Sequence, residues 1–401
     1  MNPSCFWLTE ALIEGEVSSS PKSGGIAVIG SGLSGVSTAF WLQKHGFDQI
    51  TLMDYEPEKS ASFRNCGHIL NGTVESMQAL CELHGQESAK EIWEFSIGLC
   101  DLVGETVREL GIDAWYAQDG YLVIAIDDAE NREVQSSTEL LTSMGFHSEY
   151  VPQSKLEAMG FRNVFGGRFE KTSAQAHPTK FRNGILKRCL SQGLAYYSGV
   201  KVTEVTEHQG LAKVFTEQHG ALEYDAVVIA TNSYSPLLSS FFKEHRLVEP
   251  FRGQIITSSP LKSHFPVTYP HSFDHGYEYA LRTKDNRLMI GGWRNNTPAG
   301  EIGTYDITPN PDVEEGLREF VKRHYSIDED LEWPYSWSGI MATSKTGLPL
   351  IGPTNSQVIF TTAGYTGHGF SWAHGSAKLL ADIMAGHSIP AVARHFNPKS
   401  I

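Results

Sequence analysis

The apolar residues near the start of the chain follow a strand pattern first and a helix pattern next. Residues 26–35 read I-A-V-I-G-S-G-L-S-G, so a run of mainly β-branched residues ends on Gly30. A helical period then begins, with apolar side chains at Val36, Ala39, Phe40 and Leu42. A second short apolar run, residues 50–53, ends on Asp54. This pattern predicts a strand, a tight turn, a helix and another strand, which is the order of a βαβ unit.

Three glycines in this segment form a G-x-G-x-x-G motif: Gly30, Gly32 and Gly35. The first permits the tight turn, the second lets a pyrophosphate approach the backbone, and the third lets the helix pack close to the strand. Phosphate charge is then stabilised by free N–H groups at the helix N-terminus. Asp54 follows at the distance (roughly 20 residues) where an acid accepts a ribose hydroxyl and disfavours a 2′-phosphate. The motif indicates FAD or NAD rather than NADP, and a buried βαβ unit without a ligand is the structural alternative.

Periodicity predicts further elements along the chain. Helical spacing is present over residues 86–110, 133–144, 178–190 and 370–385. Strand-like runs occupy residues 121–125, 200–205, 211–216, 222–230, 252–258, 277–282, 287–291 and 358–362. Nucleotide-binding features occur at the start, the middle and the end, so we expect one nucleotide domain built from separated segments. Residues 1–24 are expected to be either a disordered tail or an arm that lies over the body through Phe6, Trp7 and Leu8.

Composition excludes several classes of partner. The chain has 401 residues, 40% of them apolar, which is enough for a sizeable core in two or more units. Its formal net charge is −14 and no basic run stands out, which disfavours nucleic acid and anionic membranes as partners. The cysteines are scattered, without metal-ligand or disulfide spacing: Cys5, Cys66, Cys81, Cys100 and Cys189. No signal peptide and no spanning run are seen, so we expect a cytoplasmic protein without a metal or a membrane span.

A polar loop follows the second strand. Residues 60–72 read S-A-S-F-R-N-C-G-H-I-L-N-G, which has many hydrogen-bonding side chains and no regular period. It resembles the flavin loop of the D-amino-acid oxidase superfamily of FAD enzymes, which includes D-amino-acid dehydrogenases, glycine oxidase, sarcosine oxidase and gamma-glutamylputrescine oxidase. The dehydrogenase pattern S-F-x-N-x-G-x-I is matched by Ser62, Phe63, Asn65, Gly67 and Ile69. The gamma-glutamylputrescine oxidase pattern S-G-R-N-G-G is matched equally, at Ser62, Arg64, Asn65 and Gly67. A polar surface loop is the structural alternative.

The resemblance covers nearly the whole chain. It includes Val202, the strand A-V-V-I-A-T-N at residues 226–232, the segment W-S-G-I-M-A-T-S-K-T-G-L-P-L-I-G at 337–352, and A-G-Y-T-G-H-G-F at 363–370. It implies a mixed α/β (α+β) fold with a Rossmann-like FAD-binding domain of the glutathione-reductase type. It also implies a substrate domain with a mainly antiparallel sheet and helices. We assign residues 25–75, 171–250 and 336–401 to the FAD-binding domain and residues 76–170 and 251–335 to the substrate domain.

Motif and resemblance together predict non-covalent FAD. The predicted contacts are Gly30, Ser31, Gly32, Leu33, Ser34, Gly35, Asp54, Ser62, Arg64, Asn65, Cys66, Gly67, Val202, Thr231, Gly339, Gly364, Thr366, Gly367, His368 and Gly369. The last glycine turn precedes the helix at 370–385, whose N-terminus favours the negative charge of a reduced flavin. His368 could add a donor, with an ordinary structural histidine as the alternative. A covalent flavin link through His68 is a minor alternative.

One departure from the family concerns the substrate. The amino-acid oxidases of this family share the pattern W-x-G-x-R, in which the arginine binds the substrate carboxylate with two hydrogen bonds. Residues 337–341 of this chain read W-S-G-I-M instead. Met341 cannot bind a carboxylate. Either an arginine replaces it (Arg252, Arg282 or Arg294), or the substrate is an amine without a carboxylate beside the reacting carbon, which we favour. A second departure is Met289, which stands where sarcosine oxidase-like enzymes place the lysine that activates O₂.

We therefore predict an FAD-dependent oxidoreductase that oxidises a C–N bond of a primary or secondary amine resembling gamma-glutamylputrescine. Hydride transfer to flavin N5 would give an imine that water hydrolyses, with no obligate side-chain base. The residues expected at the reacting group are Tyr277, Met341 and His368, and those expected to bind substrate are Tyr279, Arg252, Trp293 and Trp337. The electron acceptor is O₂ or unknown. The alternatives are a D-amino-acid dehydrogenase or oxidase, a non-catalytic FAD-binding subunit, and a nicotinamide dehydrogenase.

Overall fold

A computed structural model describes residues 5–262, 265–327 and 330–400. In that part of the chain the strands are β1 (Ile26–Ile29), β2 (Ile50–Met53), β3 (His68–Ile69), β4 (Tyr121–Ala125), β5 (Glu149–Pro152), β6 (Gly166–Glu170), β7 (Ala174–Gln175), β8 (Ala195–Tyr197), β9 (Val202–His208), β10 (Leu211–Thr216), β11 (Gly220–Tyr224), β12 (Ala226–Ile229), β13 (Val248–Thr257), β14 (His271–Phe273), β15 (Glu278–Arg282), β16 (Leu288–Gly291), β17 (Tyr335–Ser344), β18 (Leu350–Pro353) and β19 (Ile359–Ala363). The helices are α1 (Leu33–Lys44), α2 (Met77–His84), α3 (Gln86–Leu110), α4 (Asp128–Ser143), α5 (Gln153–Ala158), α6 (Pro178–Ser191), α7 (Ser240–His245), α8 (Pro311–His324) and α9 (Gly369–Met384). The mixed α/β class is confirmed.

Six strands form a sheet in the order β18-β19-β12-β1-β2-β8. The pairs from β19 to β8 are parallel, and β18 is antiparallel at the edge. Strands β1 and β2 are buried along their whole length, as expected for apolar runs in a parallel sheet covered on both faces. One face packs against helices α1, α3, α6 and α9, and the other against α7 and the small sheet β11-β10-β9. This sheet is the predicted Rossmann-like unit, and it is assembled from three separated segments.

A second sheet has eight strands in the order β17-β13-β16-β15-β14-β4-β6-β5. All its pairs are antiparallel except β14 with β4. Helices α5 and α8 cover one face around a core that includes Phe161 and Tyr325. Strand β17 lies in the range assigned to the FAD-binding domain, yet it pairs along its full length with β13. An apolar run in the sequence predicts a strand but not the strand with which it pairs. The domain boundaries therefore stay a prediction.

Two elements have bounds in the structure that differ from those predicted from the sequence. The run at residues 222–230 is two strands of different sheets, β11 and β12, because the chain turns at Asp225. The helix expected at 133–144 begins earlier, at Asp128. Its cap explains this: the Asp127 side chain accepts a hydrogen bond from the Glu130 backbone N–H (2.8 Å), and the Glu130 carboxylate accepts one from the Ile126 N–H (2.8 Å). Such a capping box is visible in a sequence as D-x-x-E.

The N-terminal residues that the structure describes lie against the body. Phe6 and Trp7 are buried in a cluster with Cys66, Met289 and Trp337. The Trp7 indole N–H donates to the backbone carbonyl of Asn65 (2.7 Å). This is the arrangement of the arm alternative, so the expectation of a disordered tail is wrong for these residues. Large buried aromatic area is the physical reason that the arm stays attached.

None of the helices in the described ranges is long and apolar enough to cross a membrane.

Candidate cofactor and substrate site

A cavity of about 1470 Å³ runs from the turn after β1, past the loop at residues 60–66, to the inner face of the eight-stranded sheet. A typical pocket for one small ligand measures about 300–1,000 Å³, so this cavity has room for a large cofactor and a substrate together. It is lined by most of the predicted cofactor residues: Gly30, Gly32, Leu33, Ser34, Asp54, Ser62, Arg64, Asn65, Cys66, Val202, Thr231, Gly339, Thr366, Gly367, His368 and Gly369. Their contact with FAD stays a prediction.

The glycine motif has the geometry that a pyrophosphate needs. At Gly32, a Cβ atom would lie 2.7 Å from the Ser60 Oγ and 2.9 Å from the Ser62 Oγ, so a larger residue would displace these two hydroxyl groups. At Gly35, a Cβ atom would overlap the Gly30 carbonyl oxygen, so this glycine lets α1 pack against β1 and does not itself line the cavity. The turn therefore leaves backbone N–H groups at the start of α1 open to a phosphate.

Behind this turn lies a buried arginine that sequence reasoning missed. The Arg182 side chain is fully buried, and its Nε–H donates to the Ser31 carbonyl (3.0 Å). The Ser31 N–H donates to an Asp54 carboxylate oxygen (2.5 Å). Because no carboxylate forms an ion pair with Arg182 in the described residues, its positive charge favours an anion in front of the turn. Burial lowers the pKa of Arg182. Ser31 does not line the cavity, because it faces Arg182 and Asp54, and its contact with FAD stays a prediction.

The loop at residues 60–67 is held rigid by its own side chains. The Asn65 amide donates to the carbonyls of Ala61 (3.0 Å) and Ser62 (3.1 Å), and its oxygen accepts the Gly67 N–H (2.7 Å). Arg64 donates to the Ser338 carbonyl (2.8 Å), which fastens the loop to β17. Gly67 does not line the cavity, because it packs toward the Ala176 carbonyl instead.

The last glycine turn places the N-terminus of α9 at the cavity. Thr366, Gly367, His368 and Gly369 line it, and the Nδ1 atom of His368 is buried without a hydrogen-bond partner among the described residues. Burial lowers the pKa of His368 to about 4, so the ring is neutral at physiological pH. The buried Nδ1 atom is therefore a polar group that, within the described part of the chain, still lacks a partner at the edge of the cavity. Gly364 is different: it does not line the cavity and its N–H donates to the Asn232 side chain (2.8 Å), so its contact with FAD stays a prediction without support from this geometry.

The far end of the cavity is aromatic. His68 lies between the rings of Tyr121 (6.1 Å) and Tyr279 (6.2 Å), and its Nε2–H donates to the Ala280 carbonyl (3.1 Å). Burial lowers the pKa of His68 to about 3 and raises that of Tyr121 to about 12, so both are neutral near pH 7. The predicted Tyr277, Tyr279 and Met341 line this end as well. Sequence reasoning gave His68 no role in substrate binding and missed Tyr121.

The three candidate arginines have different surroundings. Arg252 forms an ion pair with Glu301 and donates to the Thr308 carbonyl (2.7 Å), outside the cavity, so its predicted role in substrate binding is not supported. Arg282 donates to the Phe265 carbonyl (2.7 Å) and is also outside. Arg294 lines the cavity.

The Arg294 guanidinium lies 4.6 Å from the centre of the Phe251 ring and 5.0 Å from that of Tyr277. Phe251 is the direct partner of Met341 across β13 and β17. Arg294 therefore brings a cation to the neighbourhood of Met341. Within the described residues its guanidinium donates a single hydrogen bond, to the Gly300 carbonyl, and this bond is long (3.5 Å). Donor atoms of this guanidinium remain available to a ligand.

Two predicted tryptophans lie outside the cavity. Trp293 packs against Phe320 under α8 (ring centres 6.2 Å apart), so the structure does not support its predicted contact with the substrate. Trp337 is buried, and its indole N–H donates to the Arg64 carbonyl (3.1 Å). Trp337 lies on the same face of β17 as Met341, but Arg64 and the N-terminal arm cover it there, so it supports the loop at 60–67 from behind.

Known proteins of one family resemble this chain over most of its length. The DAO family model, described as FAD dependent oxidoreductase, matches residues 25–383. The chain is similar to a probable oxidoreductase OrdL of Haemophilus influenzae, with 23% identity over 366 residues that cover 90% of this chain and 83% of that protein. It is also similar to a D-amino acid dehydrogenase of Neisseria gonorrhoeae, with 27% identity over 224 residues, 56% of this chain and 52% of that protein.

Solved structures share the fold. L-proline dehydrogenase from P. horikoshii has a TM-score of 0.74 and 21% identity, over 94% of this chain and 98% of that one. Glycine oxidase from Geobacillus kaustophilus has a TM-score of 0.75 and 18% identity, over 94% of this chain and 98% of that one.

Proposed function

Because the chain belongs to the DAO family of FAD-dependent oxidoreductases, we propose that it oxidises the C–N bond of a primary or secondary amine that binds between Met341 and the aromatic end of the cavity. The observation that carries the proposal is the side chain of Met341, which lines the cavity where a carboxylate-binding arginine would be expected. A thioether offers no charge to a carboxylate, so the reacting carbon need not carry one. The substrate class proposed first is an amine resembling gamma-glutamylputrescine.

The residues at the cavity fit FAD. The turn at Gly32 and the N-terminus of α1 suit the pyrophosphate, Asp54 suits a ribose hydroxyl, and the turn at Gly367 suits the flavin ring. When bound, FAD supplies a hydride acceptor at its N5 atom. In the net reaction the C–N bond loses two electrons and two protons and becomes an imine, which water then hydrolyses to a carbonyl compound and either ammonia (from a primary amine) or an amine (from a secondary amine).

The chain itself contributes orientation and the exclusion of water. Neutral His68 has its Nε2–H directed at the Ala280 carbonyl, so Nδ1 is left as an acceptor for an amine N–H of the substrate. Tyr121 donates to the Ser272 hydroxyl (2.5 Å), which fixes one aromatic wall. A neutral amine binds best among neutral groups, since a buried ammonium without a partner is costly. The proposed site therefore needs no obligate side-chain base.

A second candidate is an amino acid, as in a D-amino-acid dehydrogenase or oxidase. The observation that favours it is Arg294, which brings a guanidinium with free donors close to Met341. Such a guanidinium binds a carboxylate with two hydrogen bonds. The two candidates therefore differ in which residue meets the substrate beside its reacting carbon.

One experiment separates them. The FAD-loaded protein is mixed without oxygen with polyamines, their γ-glutamyl derivatives, N-methylglycine and D-amino acids, and the loss of visible flavin absorbance is followed. Arg294→Gln and the exposed Arg246→Gln serve as the test and control variants. We expect amines to reduce wild type and both variants at similar rates. Amino-acid turnover with a KM raised at least about tenfold only in Arg294→Gln would favour the second candidate. No reduction by any compound would contradict both.

We also propose slow reoxidation by O₂. Met289 is fully buried beside Trp7 and does not line the cavity, so it offers no charge to oxygen. The reduced protein is mixed with air-saturated buffer or with an artificial dye acceptor under identical conditions. We expect the dye to reoxidise the flavin much faster, and reoxidation by O₂ at the rate of turnover would contradict the proposal.

A further inference from the structure

The two helices that present their N-termini to the cavity also meet at their other ends. Helix α1 starts at the glycine motif and α9 at the last glycine turn, and the two pack against each other. At about 1.5 Å per residue these helices are about 18 and 24 Å long, so their C-terminal ends are remote from the cofactor space. His45 is the C-terminal cap of α1, and Asp382 and His387 belong to the last turn of α9 and the residues after it.

These three residues form a compact set of metal-ligating groups. The Nε2 atom of His45 lies 2.8 Å from Oδ1 of Asp382, and the Nδ1 atom of His387 lies 3.8 Å from the same oxygen. All three ligand atoms lie within 4.8 Å of one another. His45 and Asp382 are largely buried, while His387 is exposed, so the set opens to solvent on one side. Among the described residues this is the one such group of three.

We propose that His45, Asp382 and His387 bind one divalent transition-metal ion of the Zn²⁺ type, with water at the fourth position. Two imidazoles and a carboxylate are a donor set that Zn²⁺ accepts at about 2.0–2.2 Å. In a tetrahedral site of that size, neighbouring ligand atoms are about 3.3 Å apart. The Asp382 Oδ1 lies 2.8 Å from the His45 nitrogen and 3.8 Å from the His387 nitrogen, on either side of this value. Small side-chain rotations therefore bring both distances to the tetrahedral value.

A simple hydrogen bond does not account for the third member. The His45 Nε2 and the Asp382 Oδ1 are within hydrogen-bond distance of each other (2.8 Å). The Nδ1 atom of His387 is 3.8 Å from the same Asp382 oxygen, which is too far for a hydrogen bond. It is nevertheless held there by the backbone, because the His387 N–H donates to the Asp382 carbonyl (2.9 Å). The two imidazole rings meet edge to face with centres 4.5 Å apart. Both converge on the same carboxylate oxygen.

The local charges allow a cation here. The C-terminal ends of two helices meet, and each carries a partial negative charge. Lys378 forms an ion pair with the other oxygen of Asp382, Oδ2 (2.8 Å), and so competes for the carboxylate. Removal of this lysine should therefore increase the affinity for a metal ion, which a merely structural hydrogen-bond cluster would not predict.

The test uses full-length, FAD-loaded protein after dialysis against a chelator, titrated with Zn²⁺ in a calorimeter. We expect one Zn²⁺ per chain in wild type, an affinity lowered more than about tenfold in His45→Gln and in His387→Gln, and a higher affinity in Lys378→Gln. At a Zn²⁺ concentration of 100 times the wild-type Kd, the melting temperature should rise by about 3 °C in wild type and by at most about half as much in His387→Gln. His387 is exposed, so its replacement should not affect folding.

Two control variants make the result specific. His147→Gln removes an exposed histidine elsewhere, and His395→Gln removes one of the other histidine pair, His84 with His395 (ring centres 5.7 Å apart). Both should bind Zn²⁺ as wild type does. Absence of binding to wild type, equal binding by His387→Gln, or loss of binding in His395→Gln would each overturn the proposal.

Discussion

Replacement of Trp7 tests whether the N-terminal arm supports the cofactor loop. Its ring is buried against His177 (centres 4.6 Å apart) and Trp115 (6.4 Å), and its N–H donates to the Asn65 carbonyl (2.7 Å). Asn65 in turn fixes the N–H of Gly67 and the turn at residues 61–63. Trp7→Ala and Trp7→Phe separate packing from this hydrogen bond, because phenylalanine keeps most of the ring and lacks the donor.

The expected magnitudes follow from these contacts. Loss of a buried aromatic side chain costs roughly 3–5 kcal/mol of the free energy of unfolding, which is our expectation for Trp7→Ala. In Trp7→Phe the Asn65 carbonyl loses its donor inside a buried site, which costs about 1–3 kcal/mol. FAD affinity should fall in both variants, since the loop that lines the cavity is less firmly held.

The assay combines urea unfolding of the apoprotein with FAD titration followed by flavin fluorescence. Leu8, the half-buried neighbour of Trp7, supplies a matched control as Leu8→Ala, which should change FAD affinity little. Apoprotein stability equal to wild type in Trp7→Ala would refute the packing argument. Lowered stability with unchanged FAD affinity would refute the link between the arm and the loop.

Three further predictions concern single groups. Burial raises the pKa of Glu278 to about 8, so the folded state holds a proton that the unfolded state releases between about pH 4.5 and 8, and stability falls as pH rises across that window. Glu278→Gln should therefore gain stability relative to wild type from pH 5 to pH 8 in urea unfolding, and a constant difference would contradict this. Arg182→Met should weaken FAD binding more than about tenfold, because the buried positive charge behind the turn is removed, and it should also lower apoprotein stability, because the Ser31 carbonyl loses its donor; unchanged affinity by fluorescence titration would count against it. Gly32→Ala should lower FAD affinity in the same titration, since its Cβ would lie 2.7 Å from the Ser60 Oγ and must displace that hydroxyl, and unchanged affinity would contradict the close approach.

Much of the cofactor half was predictable because its signals are local. The motif at residues 30–35 and the acid at position 54 lie in one βαβ unit, where spacing along the chain determines spacing in space. The loop at residues 60–67 follows the second strand directly and contributes Ser62 to Cys66 to the cavity. The role of Arg182 was not predicted. This residue belongs to α6, far along the chain from the glycine motif, and nothing in its local sequence indicates a buried charge.

The substrate half was predicted less well, for a geometrical reason. In the eight-stranded sheet a side chain faces either the cavity or the core, and one step along a strand exchanges the two. Arg252 shows the effect of this alternation. Its neighbours Phe251 and Gly253 line the cavity, whereas the Arg252 side chain lies outside it and pairs with Glu301. Two tryptophans were assigned to the pocket for a different reason, their place in motifs. Trp293 follows the end of β16 and packs against Phe320 of α8, and Trp337, on the same face of β17 as Met341, is covered by the loop at residues 60–67.

By itself the sequence determined the class of fold, the family and the cofactor, since glycine spacing and strand or helix periods act over a few residues. Only the tertiary structure decided which cation stands near Met341, that the N-terminal arm closes over the loop at residues 60–67, and that His45, Asp382 and His387 meet. Each of these depends on contacts between segments distant in the chain. Such contacts are set by how sheets and helices pack, which no local pattern records.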